Sequence, residues 1–461
     1  MIDLAFAAFL GLFLAAGLRR PFIWVLAYLY VDILSPQKIS YFLLASLPVS
    51  LIVFVAAFGG WLLIDRKEGV RFTFRQALIL FLLVWCGYTT LVAEFPDAAA
   101  TKWAWVWKSL IFAIFFPLTL TTRLRIEAAA LIMSLSAGAI IISAGIKTII
   151  SGGGGYGTLQ SFVNDNTGIY EGSTLSTVAI AIIPLVLWLA KFGTVFPADK
   201  RVRLFAAALV FACLMVPIGT QTRTGLLCIA LLGVLMLRTV KRRFLYIGMA
   251  AAVALTAIPF LPASYTARMS KIEGHQSDQS ASTRVAVWGW TWDYVKDHPL
   301  GGGFDVYLAN SVEVKLKDVS TEGNTTSVET ETVQEKARAF HSAYFEMLGE
   351  QGWPGFLAWI TLHLTGLFQL EAIRRRTNHS DDPGDRSDFA LANALQQGHV
   401  VILCGSLFVG IAYQPFVYLL IGLQIALGNS VGRRREAIRA ARPALRKLQP
   451  LNPPLNPPPS A

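Results

Sequence analysis

Four side chains of this 461-residue sequence have the type and setting to do chemistry together: His341, Arg223, Arg284 and Arg338. A histidine can accept a proton near neutral pH and return it, which makes His341 the candidate general base. His341, Tyr344, Phe345 and Leu348 are spaced i, i+3, i+4, i+7. That spacing predicts an amphipathic helix beginning at Lys336, with His341 on its apolar stripe. A packed, hydrogen-bonded histidine would give the same pattern, so both roles stay open at this level. Arg223 stands in the turn Thr220-Gln221-Thr222-Arg223-Thr224-Gly225 between two apolar runs. An arginine at membrane depth is costly, and its planar fork matches a phosphate bidentately. The alternative is a side chain that snorkels to water. Arg284 opens a second stripe with Val287, Trp288, Thr291 and Val295, which predicts a helix over 283–295. Arg284 joins a phosphate site if it folds back to Arg223, and is a solvated helix end otherwise. Arg338 lies one turn before His341, as a further cation or as a rim charge.

Other residues divide between a chemical and a plain role in the same way. Lys108 and Lys147 fall in or near apolar runs, where a lysine lines a cavity or snorkels. Glycines at 152–155 with Asn164-Asp165-Asn166 make either a substrate loop or a connection. Trp288, Trp290 and Trp292 either stack on sugar rings or form an interfacial belt. His275, His298, His379 and His399 have no chemical constellation around them. Walker A, H-E-x-x-H and G-x-S-x-G patterns are absent, and so is an Asp-x-Asp pair that would hold a metal on a nucleotide sugar. The expectation is chemistry with no metal and no cofactor.

The elements that must position these residues are membrane helices. The sequence is 54% hydrophobic and only 15% charged, against about 25% charged for a soluble domain. Apolar runs at 2–18, 21–35, 41–64, 76–93, 103–121, 127–149, 173–190, 204–219, 224–238, 244–262, 354–372, 397–413 and 415–431 are the candidate spans. The last two are either separate or one element kinked at Pro415. The fold class expected is an all-α polytopic membrane protein of about 12–13 crossings. The net charge is +11, and its Lys and Arg sit in alternate connections, including Arg19–Arg20, Arg123–Arg125 and Arg374–Arg376. That is the positive-inside pattern, so the charge orients the chain and does not indicate nucleic acid. It places the N-terminus, a retained first span, outside and the C-terminus inside. Cys86, Cys213, Cys228 and Cys404 lie in or beside apolar runs and act as small hydrophobes, with no disulfide expected.

The expected organisation is N-terminal spans over 1–262, a large outside loop over 263–353, C-terminal spans over 354–431 and a tail over 432–461. Within the loop, 311–335 is polar and is expected to be mobile. Gly352 and Pro354 end the His341 helix just before the next span. An inside loop is expected at 377–396. The tail, with its prolines at 450–459, is expected to be disordered.

Three segments give the chain a family resemblance. They are Thr222-Arg223-Thr224-Gly225, then Arg284-Val285-Ala286-Val287-Trp288 through His298-Pro299-Leu300-Gly301-Gly302-Gly303-Phe304, then His341-Ser342-Ala343-Tyr344-Phe345 through Gly349-Glu350-Gln351-Gly352-Trp353-Pro354-Gly355. In order and content they resemble the O-antigen ligase and polymerase superfamily. Arg19-Arg20-Pro21-Phe22 through Ser35-Pro36-Gln37-Lys38, with Ser161-Phe162-Val163-Asn164-Asp165-Asn166, is similar to the exosortase-associated O-glycosylation ligase group. This sequence has Thr167 where that group often has a second Asn, and Thr222 where a Ser usually precedes the Arg. The resemblance implies a bacterial inner-membrane enzyme acting at the periplasmic face. It implies a polyprenyl-diphosphate-linked glycan donor, a glycan, lipid-core or protein acceptor, and membrane lipids as surroundings. On this pattern His341 is the base, while Arg223 and Arg284 hold the diphosphate, with Arg338 as an added cation. A repeat-unit polymerase is the alternative within the superfamily. A polysaccharide or lipid transporter is the alternative outside it, although no internal repeat is evident.

Overall fold

The computed structural model describes residues 2–40, 42–151, 168–238, 242–245, 248–249, 252, 256, 279–322 and 325–448. The expected span at 244–262, the glycine-rich stretch at 152–155 with Asn164 to Asn166, and the prolines at 450–459 lie largely or wholly outside them. Helix accounts for 79% of the structure, which makes this an all-α polytopic membrane fold. The helices are α1 (Ile2–Arg19), α2 (Phe22–Leu34), α3 (Pro36–Ile39), α4 (Val49–Leu63), α5 (Phe74–Leu91), α6 (Pro96–Thr119), α7 (Arg123–Ser151), α8 (Gly172–Phe192), α9 (Lys200–Gly219), α10 (Arg223–Leu237) and α11 (Gln279–Asp297). After a hairpin of β1 (Ser311–Glu322) and β2 (Thr325–Lys336) come α12 (Ala343–Thr377), α13 (Pro383–Gly405) and α14 (Pro415–Leu448). Six helices among the described residues, α5, α7, α8, α9, α12 and α14, are long and apolar enough to cross a bilayer. Three more, α2, α4 and α10, are apolar but shorter.

The bundle has two chemically distinct ends. At one end Arg71 pairs with Glu436, Arg125 with Asp65, and Arg374, Arg375 and Arg238 with Glu371. Arg433 donates to the carbonyls of Gly69 and Thr121, and Arg434 meets Asp385 and Asp388. These are the basic connections that the sequence assigns to one side. The opposite ends of the same helices carry the large loop. Thr89, near the end of α5, donates to Gln351, and Glu94 accepts from the Tyr294 hydroxyl of α11.

Four expectations are corrected. The stretch 311–335 is an antiparallel hairpin, in register from Ser311 opposite Lys336 to Glu322 opposite Thr325. Its Val and Thr content suits a pleated strand, and Val312 and Val314 are buried with Val287, Val306 and Phe340. The helix after it starts at Ala343, not Lys336, because β2 runs to Lys336 and the chain then turns through positive φ at Ala337 and His341. The stretch 377–396 is mostly helix: Asp382 caps α13 by accepting from the Asp385 N–H, with Pro383 in its first turn. The basic part of the tail continues α14 to Leu448 as helix, since Ala, Arg and Leu favour it. The pair α13 and α14 are separate helices, divided by turns at 406–414.

The loop helix predicted at 283–295 lies within α11, and Val287, Thr291 and Val295 of its stripe are buried. Gly352 breaks α12 with φ 61° and ψ −165°, as expected where the surface segment meets the span.

Candidate active site

A cavity of about 560 Å³ opens where the large loop meets the bundle end opposite the arginine pairs. His341 and Arg284 both line it. Two anchors bring His341 there. The Asn310 side chain brackets the Arg338 peptide, donating to its carbonyl at 2.6 Å and accepting from its N–H at 2.9 Å. Phe340 is then buried against α11, and the Ala343 N–H donates to the Ser406 carbonyl at 2.8 Å. His341 bridges these fixed points with φ 45°. Arg284 comes from the first turns of α11, whose apolar stripe is clamped by Phe340 and by Trp288, which stacks on Phe345. The Arg284 Nε is buried and has no hydrogen-bond partner among the described residues.

His341 lines the cavity and keeps part of its surface exposed. That partial burial lowers its pKa below the ordinary histidine value, and the Arg284 charge lowers it further. Glu171 pulls the other way and Arg338 adds to the depression. The imidazole is therefore neutral at neutral pH, with a free lone pair for a proton.

The facing wall is acidic and was not foreseen from the sequence. Lys102, on the first turns of α6, donates to Glu346 at 2.8 Å and to Glu350 at 2.7 Å, and lies 3.5 Å from Asp305. Glu350 also accepts from the Asp305 N–H at 3.0 Å, and Glu346 from the Ala412 N–H at 3.1 Å. Both glutamates sit on the first turns of α12, four residues apart, so they share one face. Glu171 caps α8 by accepting from the Ser173 and Thr174 N–H groups. A signal for this wall did exist. Lys102 is a lone cation heading an apolar run on the non-basic side. Among the described residues no His, Cys, Asp and Glu cluster is suited to a metal ion.

Arg223 and Arg338 are not in the cavity wall. Arg338 is 54% exposed and pairs with Glu335 at 3.1 Å. Arg223 opens α10 behind a ring of hydroxyls: Thr222 donates to Ser176 at 2.9 Å, Ser176 and Thr220 are 2.8 Å apart, and Thr220 and Thr222 are 3.1 Å apart. That ring ties the turn to the first turns of α8, whose Glu171, Ser173 and Thr174 do line the cavity. Of the three tryptophans on α11, none lines the cavity; Trp105 of α6 does.

Known families match two parts of the chain that both contribute to this cavity, while the residues within 408–414 that also line it lie outside both matches. Residues 207–360 match the O-antigen ligase family model. They include Arg223, Arg284, Asp305, Arg338, His341, Glu346 and Glu350. Residues 1–194 match the model of a family of unknown function (DUF5935) and include Lys102 and Glu171. No curated protein matches the chain. The O-antigen ligase match, together with the apolar helices, points to a multi-pass membrane protein that transfers glycans in the ligase or polymerase manner.

Proposed function

We propose that this protein transfers a glycan from a polyprenyl diphosphate to an acceptor hydroxyl at the periplasmic face of the bacterial inner membrane. His341 is the general base. It removes the proton of the acceptor hydroxyl while that oxygen attacks the anomeric carbon. The bond from the anomeric carbon to the phosphate oxygen breaks, and the polyprenyl diphosphate leaves with the electron pair. A single displacement inverts the anomeric centre. Arg284 offsets the charge that grows on the diphosphate, and Arg223 and Arg338 add positive potential from behind and beside it. Neither metal nor cofactor is assigned a step. The acceptor hydroxyl belongs to a glycan, a lipid core or a protein.

The observation that supports this reading is one cavity lined both by a histidine whose pKa is lowered by burial and by the Arg284 charge, and by that arginine, whose buried Nε has no hydrogen-bond partner among the described residues. A neutral base beside a guanidinium is the pairing needed to deprotonate an alcohol while a diphosphate departs. The test is to express His341→Ala and Arg284→Ala in a strain lacking the protein and to examine its lipid-linked glycans and their acceptors. Loss of acceptor glycosylation with full-length lipid-linked chains piling up is the expected result. Piling up of single unpolymerised units instead assigns the reaction to a polymerase. Glycan attachment that survives both changes at normal protein level sinks the enzyme reading.

A further inference from the structure

We infer that a second cavity, built mainly by the N-terminal half, is a carbohydrate subsite that holds a glycan segment of one of the two substrates next to His341. The inference rests on the glycan-transfer reading above. This cavity, of about 590 Å³, adjoins the first and shares Trp105, Gly168 and Gln414 with it. Its size falls within the ~300–1,000 Å³ of ligand sites. It continues along α6: Lys102 and Trp105 face the first cavity, Trp105 and Lys108 the second. The two lysines are six residues apart, or ~9 Å along a helix. Its other walls come from the end of α2, from α3, from Tyr170 and from Pro415 and Phe416 at the start of α14.

The lining is that of a sugar site. Asp32 is the only charged residue of α2, an otherwise apolar helix in which a carboxylate needs a reason to be. Lys108 and Lys38 share the lining with it, and no ion pair joins Asp32 to Lys108 among the described residues. The buried Gln37 Oε1 has no hydrogen-bond partner there either. A carboxylate and an amide oxygen accept from sugar hydroxyls, an ammonium donates to them, and Trp105, 42% exposed, offers a ring face. With one carboxylate, the ammonium groups of Lys38 and Lys108 and an amide, the lining mixes acceptors and donors, the combination that the many hydroxyls of a pyranose can satisfy. The second cavity also meets a small third one that reaches Leu51, a residue 42% exposed on α4.

The experiment uses the full-length protein in detergent and two probes: inorganic pyrophosphate, and the oligosaccharide released by mild acid from the host's lipid-linked glycan. Asp32→Asn, Lys108→Gln and Gln37→Ala are compared with Arg284→Ala, each checked for an unchanged melting midpoint. The three cavity variants weaken oligosaccharide binding by about tenfold, the loss of one buried charged hydrogen bond, and leave pyrophosphate binding alone. Arg284→Ala does the reverse. A transfer assay then separates the sources: a raised KM for the lipid-linked donor places the donor's sugar in the cavity, and a raised KM for the acceptor places the acceptor's. If whichever of the three variants fold bind oligosaccharide like the wild type while transfer still depends on His341, the subsite is wrong and the enzyme reading stands. If oligosaccharide binding depends on Asp32 or Lys108 but no transfer occurs with any acceptor, the subsite stands and the enzyme reading falls.

Discussion

His341 occupies a left-handed backbone conformation that a non-glycine residue adopts at a cost of roughly 1–3 kcal/mol, held by fixed neighbours on both sides. Such positions concentrate at working sites, and this one aims the imidazole into the cavity beside Arg284. The pH dependence of transfer follows from its surroundings. Burial and the Arg284 charge depress the His341 pKa, and the base works only when unprotonated. Transfer therefore falls as pH drops through an inflection below the ordinary histidine value, and is flat above it. Arg284→Met removes a depressing charge and moves the inflection up; Glu171→Gln removes a raising charge and moves it down. A kcat/KM profile against pH measures both shifts, and an inflection that stays put in both variants means another group titrates. His341→Ala lowers the rate by about 10²–10⁴-fold, the usual worth of a positioned base. His341 and Arg284 were singled out by residue type, spacing and the family resemblance together. The wall of Lys102, Glu346 and Glu350 was not, because the lysine and the two glutamates lie in distant segments and only the fold brings them within 2.8 Å.

Among elements, the junction between the loop after α11 and the break in α12 fixes the acidic wall. The Gly302 N–H donates to the Gly349 carbonyl at 3.1 Å, the Gly303 N–H to Glu350 at 3.0 Å, and the Trp353 N–H to Pro299 at 2.9 Å. Gly301 and Gly352 stand back to back, and a Cβ on Gly352 would meet the Pro299 carbonyl at 2.3 Å. Gly352 also has backbone angles open essentially to glycine alone. Gly352→Ala is therefore expected to lower the melting midpoint and to cost transfer activity together, since Glu350 moves with the break. Gly289→Ala is the matching control: it sits mid-helix in α11 with nothing within 4 Å of a Cβ, and should stabilise by about 0.5–1 kcal/mol. Thermal unfolding of both in detergent checks the pair; equal behaviour would remove the junction from the account. The glycine motifs were visible in the sequence, but not that they touch. The start of α12 was misjudged because the i, i+3, i+4 stripe extends back to His341, while strand pairing through Lys336 and the Asn310 bracket claim those residues first.

For the whole molecule, the bundle was the most legible feature, since long apolar runs and alternating basic connections are repeated many times over. What could not be read was how the helices recognise one another. Inside the bundle, Arg75 of α5 donates to Gln424 of α14 at 2.8 Å and to Gln369 of α12 at 3.3 Å. Gln424 meets His399 of α13 at 3.0 Å, and His399 meets His363 of α12 at 2.7 Å. One polar chain thus joins four helices, each contributing residues that look isolated in their own runs. Apolar surfaces cannot drive helices together in lipid, so a chain of this kind fixes partners and register. Cutting it at one point leaves buried groups unpaired, each costing about 1–3 kcal/mol, whereas replacing two facing members together leaves fewer orphans. Arg75→Leu is expected to lower the melting midpoint clearly, because both Gln424 and Gln369 lose a donor. The double change His363→Leu with His399→Leu should cost less than the sum of its single changes. Transfer activity at a temperature below unfolding should survive in all of them, because the chain lies away from the cavity that holds His341. Melting curves and a double-mutant cycle read the coupling directly. Strict additivity, or loss of transfer in protein that is still folded, would mean that this chain does something other than hold the helices in place.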